Sequence, residues 1–130
     1  MPRSSVALTP EPLTGDLVVA AAEVVRAHKL GGEIETLEAR VLDDGAVLQI
    51  VAGDAVVLSV LRPRLLPRLD EVERLLPGVE APEGTRWWTD VYTPWQPEGA
   101  IGVAILDTAV EASGGLVVYQ ALTRERRTGD

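Results

Sequence analysis

The segment that most constrains the fold is residues 33–61, where two short turns separate three stretches with strand character. Between 37 and 41 apolar and charged residues alternate, which is the period of a strand with one face in a core. The sequences DDG at 43–45 and GD at 53–54 are typical of tight turns, so AVLQIVA and AVVLSVL follow as strands joined by hairpins. We predict an antiparallel meander whose third strand, the most uniformly apolar, lies centrally with both faces covered.

Amphipathic patterns predict helices on both sides of this meander. Apolar residues recur at helical spacing after Asp16, which can cap a helix, and again after Pro97, and a glycine pair ends each pattern. A shorter helix fits between Pro67 and Pro77, because proline interrupts helices. We expect the glycines at 99 and 102 to let the last helix approach the sheet closely. The elements expected outside the meander are helices at 16–30, 68–76 and 98–113 and strands at 85–93 and 116–122.

The resulting order, α-β-β-β-α-β-α-β, predicts a single α+β domain at 16–123. We expect a sandwich in which helices pack on one face of a five-stranded sheet. This sheet is mainly antiparallel, and mixed if a crossover makes the strands of the unit 85–122 parallel. Residues 1–15 contain three prolines and no periodicity, so we expect a flexible lead-in, and the polar residues 124–130 form a tail. These patterns leave the order of the strands open.

Charge and composition argue against several classes of function. The chain of 130 residues carries 20 acidic and 12 basic residues, and its net charge of −8 would repel nucleic-acid phosphates and favours a basic protein partner. It contains no cysteine and no apolar run of the roughly 18 residues that span a membrane. We therefore expect a soluble cytoplasmic protein that binds neither nucleic acid nor membrane.

Residue types suited to catalysis or metal binding are sparse. His28 is the only histidine, and without cysteine the chain has neither a thiol nucleophile nor the nitrogen and sulfur ligands of a zinc site. Turn chemistry explains Asp43, Asp44 and Asp54, and the sequence PEGAIG at 97–102 lacks the lysine of a phosphate-binding loop. We expect no catalytic residue, no metal and no cofactor.

Positive charge is concentrated between the third strand and the short helix. Two glutamates, Glu71 and Glu73, lie close by in the sequence and can neutralise it. We therefore predict a solvated, internally paired patch and not an anion site. The arginines concerned are Arg62, Arg64, Arg68 and Arg74.

The sequence RWWTDVYTPW at 86–95 contains four of the five aromatic residues of the chain. Alternate side chains of a strand point to opposite faces, and each face of this strand carries a tryptophan. We favour the set containing Trp87 and Val91 as the inward one, although the sequence leaves open whether Trp87 or Trp88 faces the core. The other face would present large amphipathic and charged groups of the kind that dominate protein interfaces, with a further tryptophan at its rim. The candidate binding residues are therefore Arg86, Trp88, Asp90, Tyr92 and Trp95.

Three functional hypotheses follow, beside the plain alternative that these aromatics only fill the core. The first is a non-catalytic module that binds another protein through the aromatic face, chaperone-like or toxin-neutralising by analogy of fold alone. The second is a small-molecule or carbohydrate binder, or a weak hydrolase, in which Trp88 and Trp95 stack on the ligand and Asp90 supplies a carboxylate. The third is a subunit of a homodimer or other homo-oligomer. The sequence leaves the partner, the pathway and the oligomeric state open.

Overall fold

The structure is a computed structural model that describes residues 3–28, 37–94 and 99–119. It contains three helices and seven strands, with a single 3-10 turn at Asp43–Gly45. The helices are α1 (Gly15–His28), α2 (Asp70–Leu75) and α3 (Gly99–Ser113). The strands are β1 (Arg3–Thr9), β2 (Glu38–Leu42), β3 (Val47–Ala52), β4 (Ala55–Leu61), β5 (Arg64–Leu65), β6 (Trp87–Thr93) and β7 (Leu116–Tyr119).

The predicted α+β class is confirmed, with one open sheet and the two long helices on one side. The strand order is β2-β3-β4-β6-β1-β7, and β5 pairs with β6 beyond the end of β4. Every described pairing is antiparallel, so the sheet is not mixed in this part of the chain. The strands β6 and β7 that flank α3 are not neighbours, because β1 lies between them.

The prediction of a flexible lead-in at 1–15 is wrong, because residues 3–9 form a strand near the middle of the sheet. This strand, β1, pairs with β6 on one side and β7 on the other, and Val6, Ala7 and Leu8 are fully buried. A strand covered on both faces shows no alternation, and the flanking prolines lie outside its paired residues. With β1 and the short strand β5, which was also not predicted, the sheet has seven strands and not five. The predicted tail at 124–130 lies outside the described residues.

The predicted meander is confirmed as β2, β3 and β4. Asp43 and Asp44 have φ angles of 51° and 54°, and Gly45 has 91°. This left-handed conformation is one that aspartate and glycine tolerate better than most residues, so the turn explains the DDG sequence. The second hairpin turns at Gly53-Asp54, between the paired residues Ala52 and Ala55. The strand β4 lies in the interior of the sheet, as predicted, but its outer face is not fully covered, because Ser59 is only half-buried there.

Helix α3 lies unusually close to the sheet, as its glycines predict. A Cβ atom on Gly102 would lie 1.8 Å from the carbonyl oxygen of Val57, and one on Gly99 would lie 2.0 Å from that of Pro94. Val57 lies at an irregularity of β4: Ile50 pairs with Leu58 and Val51 pairs with Val56, so Val57 has no partner in this pairing. Glycine at 102 is therefore required by this close approach. The main core lies between the sheet and both long helices, and includes Val18, Val25, Ile50, Leu58, Val91 and Ile105.

Candidate functional site

The two faces of β6 are divided as the alternation predicts. Thr89, Val91 and Thr93 point to the side of the long helices and have 0 %, 0 % and 2 % of their surface exposed. Val91 belongs to the main core, and Trp87 is half-buried. The opposite face of β6 carries Trp88, Asp90 and Tyr92. We call this face the outer side of the sheet. The predicted inward face is thus confirmed.

The expectation that Trp88 stands near solvent is wrong, because only 6 % of its surface is exposed. Its indole packs with Val6 and Leu8 of β1 and with Val72 and Leu76 from residues 66–81, which we call the α2 segment. We call these four residues and Trp88 the outer cluster. Further half-buried residues pack against it: Leu66, Val79, Ala81 and Val118. The segment from 66 to 81 therefore crosses the outer side of the sheet and covers the tryptophan.

Asp90 lies on the outer side of β6 between the buried Trp88 and the exposed Tyr92. Its carboxylate accepts a hydrogen bond from Trp88 Nε1 at 3.0 Å and another from Arg64 at 3.2 Å. The Arg64 guanidinium also lies 5.6 Å from the centre of the Trp88 ring, within the range of a cation–π contact. The sequence places residues 64 and 90 far apart, and the β5–β6 pairing brings them together. This arrangement satisfies the indole N–H and fixes the carboxylate.

Tyr92 is the most exposed aromatic residue on the outer side, with 38 % of its surface accessible. It pairs with Ser59 of β4 and Ser4 of β1, and Ser59 pairs in turn with Gln49 of β3, which faces Arg40 of β2. We call these five residues, from Arg40 across Tyr92 to Ser4, the outer row. Gln49 Nε2 lies 3.5 Å from Ser59 Oγ, so these two members of the row contact each other.

Most of the outer row escaped the sequence analysis, although a signal for it exists. Gln49 and Ser59 each lie in the middle of a strand that is otherwise apolar, and the hairpin places them opposite each other. A polar residue at the centre of two paired apolar strands indicates one exposed row crossing a sheet. Extending the row to Tyr92 required the β4–β6 pairing, which the sequence did not predict.

Arg86 lies at the beginning of β6, immediately before its first residue. It is exposed, while its backbone N–H donates to Thr9 and its carbonyl accepts from Leu66. Trp95 lies outside the described residues. The structure thus brings Trp88 and Asp90 into contact and places Tyr92 further along the same face, with Arg86 at the opposite end.

The predicted pairing with Glu71 or Glu73 is seen for Arg74, whereas Arg64 and Arg68 pair with aspartates instead. Arg68 contacts Asp70 at 2.7 Å, and Arg74 contacts Glu71. Arg62 donates instead to the backbone carbonyl of Asp44 at 3.3 Å. These exposed pairs contribute little to stability, each about 0–1 kcal/mol.

A hydrolase would need a second carboxylate beside Asp90, and Asp107 lies on the opposite side of the sheet. Asp90 is on the outer side, whereas Asp107 is on α3 and accepts a hydrogen bond from the Tyr119 hydroxyl at 2.6 Å. Burial, and then this hydrogen bond, raise the pKa of Tyr119, so its hydroxyl keeps its proton well into the alkaline range. The buried Trp88 is likewise unable to stack on a ligand. Of the residues named for the carbohydrate hypothesis, Trp88 and Asp90 are in contact, but the indole of Trp88 is buried, and Trp95 lies outside the described residues.

Two cavities lie beside the described fold. One of about 330 Å³ lies below α2 and is bounded by Val72, Glu73 and Val79. The other, of about 280 Å³, lies between the start of α1 and the end of the β2–β3 hairpin, near Leu13, Val41 and Arg62. In the described ranges no three histidine, cysteine or acidic residues are grouped as metal ligands.

None of the described helices could span a membrane, because none is both long enough and apolar enough, and the comparisons with known proteins give no family for this chain. His28 is the last residue of α1, and its side chain is outside the described part of the structure. No protein-family model, no curated protein and no solved structure matches this chain.

Proposed function

We propose that this protein is a non-catalytic interaction module that binds another protein through the outer row of its sheet. The observation that carries the proposal is Tyr92, which is 38 % exposed at a position flanked by hydrogen-bonding side chains from four other strands. Tyrosine combines a large rigid contact area with a hydroxyl that both donates and accepts, so it is enriched in protein interfaces.

The surroundings of Tyr92 support a flat protein contact. The row offers a guanidinium, an amide and three hydroxyls on strands whose backbones are already held in the sheet, so binding orders few additional groups. Apolar groups border it, with Leu42 40 % exposed and Val47 and Leu61 partly so. An apolar and polar mixture of this kind is typical of interfaces that form and dissociate. The net charge of −8 favours a basic partner.

A photo-crosslinking experiment tests this surface directly. The benzophenone amino acid p-benzoylphenylalanine replaces Tyr92 in the full chain, which is produced in its native cells and irradiated. The matched control carries the same group at Val19, an exposed position of α1 that is 44 % accessible on the other side of the sheet. We expect a protein adduct from position 92 that is absent from position 19.

A competition control and a contradicting outcome complete the crosslinking test. Tyr92→Ala, introduced into the unlabelled protein, should lose competition for the adduct while its melting temperature stays close to that of the wild type. Equal crosslinking from both positions, or none from position 92, would remove the outer row as the binding surface.

A further inference from the structure

The strand β2 forms an edge of the sheet with unusual exposure. All five of its residues are exposed, and among the described strands it pairs only with β3. Val41 has 66 % of its surface accessible, the highest value among the exposed large apolar residues of the described chain. Edge strands present unpaired backbone N–H and C=O groups, which can pair with another strand.

The two sides of β2 differ in chemistry. Ala39 pairs with the core residue Ile50, so Leu37, Ala39 and Val41 lie on the side of the long helices. Glu38 and Arg40 alternate with them and lie on the outer side. Neither charged residue forms an ion pair with another described residue.

We infer that β2 is the interface of a homodimer, in which two copies pair antiparallel about a two-fold axis at Ala39. In this register Glu38 of each copy faces Arg40 of the other, which forms two opposite-charge pairs on the outer side. On the helix side Ala39 faces its own copy, and Leu37 faces Val41. The strand is therefore complementary to itself in both charge and apolar character.

The two-fold registers centred on Glu38, Arg40 or Val41 lack this complementarity. An axis at Arg40 would place the two guanidiniums opposite each other, and an axis at Glu38 would do the same with two carboxylates. Like charges directly opposite across a pair of strands are destabilising, whereas opposite charges stabilise by about 0.2–1 kcal/mol per pair. An axis at Val41 would set Glu38 against Asp44 of the 3-10 turn. The pattern thus selects the axis at Ala39.

The apolar side of the pair continues the core of each copy. Leu37 already packs against the main core, and Val41 borders the cavity of about 280 Å³ near α1. A second copy would cover Val41 with its own Leu37 and join the two sheets edge to edge. The pairing also removes an exposed apolar edge that would otherwise favour aggregation.

Charge reversal tests the register, and sedimentation analysis of the full chain measures the assembly. The wild type should sediment as a dimer. Arg40→Glu alone or Glu38→Arg alone should weaken dimerisation at least about tenfold, because each sets like charges opposite each other at both pairs. An equal mixture of the two variants should recover the dimer, since each copy then faces the opposite charge. Circular dichroism checks that both variants remain folded.

A cysteine crosslink provides a second, independent measurement. The chain has no cysteine, so Ala39→Cys places one thiol in each copy at the proposed axis. Oxidation should join this variant into covalent dimers, whereas Asp54→Cys, an exposed turn residue at the far end of β3, should not. A monomeric wild type, or a dimer that both charge reversals leave intact, would overturn the inference. Arg40 also belongs to the outer row, so the charge reversals are judged by self-association alone, and the proposed function is tested separately at Tyr92.

Discussion

The two faces of β6 are covered in opposite ways. On the helix side small residues allow α3 to lie against the sheet, and Thr89 and Val91 are fully buried beneath it. On the outer side one large residue, Trp88, fills the space beneath a short segment, and the cover ends before Tyr92. The packing on the helix side requires small residues that let α3 come close, whereas the packing on the outer side requires the large indole of Trp88. This difference decides which part of the aromatic strand is available for binding.

Removal of the Trp88 indole should have the largest effect on stability. Trp88→Ala leaves a cavity between the sheet and the α2 segment, so we expect the free energy of unfolding to fall by about 3–5 kcal/mol. Urea denaturation measures this loss, and Trp87→Ala, at the half-buried neighbour, serves as the control with a smaller loss. A loss below about 1 kcal/mol for Trp88→Ala would mean that the α2 segment does not cover the indole.

Added volume on the helix side should also destabilise the fold. Gly102→Ala places a Cβ 1.8 Å from the Val57 carbonyl oxygen, so the helix must move. Overpacking costs about 1–3 kcal/mol, and we expect the upper end because the clashing oxygen belongs to the backbone and cannot turn away. The better helix propensity of alanine offsets about 1 kcal/mol, which leaves a net loss of about 2 kcal/mol.

The matched control makes the reverse change on the same helix. Ala112 is exposed, so Ala112→Gly should lose only the helix propensity of alanine, about 1 kcal/mol. Thermal unfolding compares both variants with the wild type. If Gly102→Ala stabilised the protein, α3 would not lie as close to β4 as the structure shows.

A buried hydroxyl on the helix side gives a prediction of opposite sign. Thr89 is fully buried, and its Oγ1 has no hydrogen-bond partner among the described residues. Valine has almost the same shape and no polar atom to satisfy, so Thr89→Val should stabilise the fold by about 1 kcal/mol.

Thr85→Val is the control for that substitution. Thr85 is 4 % exposed, and its hydroxyl donates to the Pro82 carbonyl at 2.7 Å. This variant should therefore lose about 1 kcal/mol. Equal losses from both threonines in chemical denaturation would show that the Thr89 hydroxyl is satisfied.

The smallest effect is expected at the open end of the outer side. Tyr92→Ala removes a partly exposed side chain from an uncovered surface, so the free energy of unfolding should change by less than about 0.5 kcal/mol. Set beside Trp88→Ala in the same denaturation series, it measures how far the cover extends. A loss at Tyr92 as large as that at Trp88 would mean that both ends of the strand are buried.

The sequence determined the features that depend on neighbouring residues. The turns at 43–45 and 53–54, the helical spacing before His28 and after Pro97, and the inward face containing Val91 all follow from backbone preference and periodicity. The need for glycine at position 102 also followed, since a glycine on a helix facing a sheet indicates a close approach. These signals are local, so they survive without knowledge of the rest of the chain.

Only the tertiary structure decided which surfaces are covered. Residues 3–9 show no alternation because both faces of β1 are covered, by the main core on the side of the long helices and by the outer cluster on the other side. Trp88 is buried because residues distant in sequence pack over it. The contact of Arg64 with Asp90 and the alignment of Tyr92 with Gln49 arise in the same way, from strand pairing. Burial is set by long-range contacts, whereas periodicity reports only which side chains share a face. The sequence therefore predicted the two faces of the aromatic strand, and the packing of the α2 segment chose the residue left exposed.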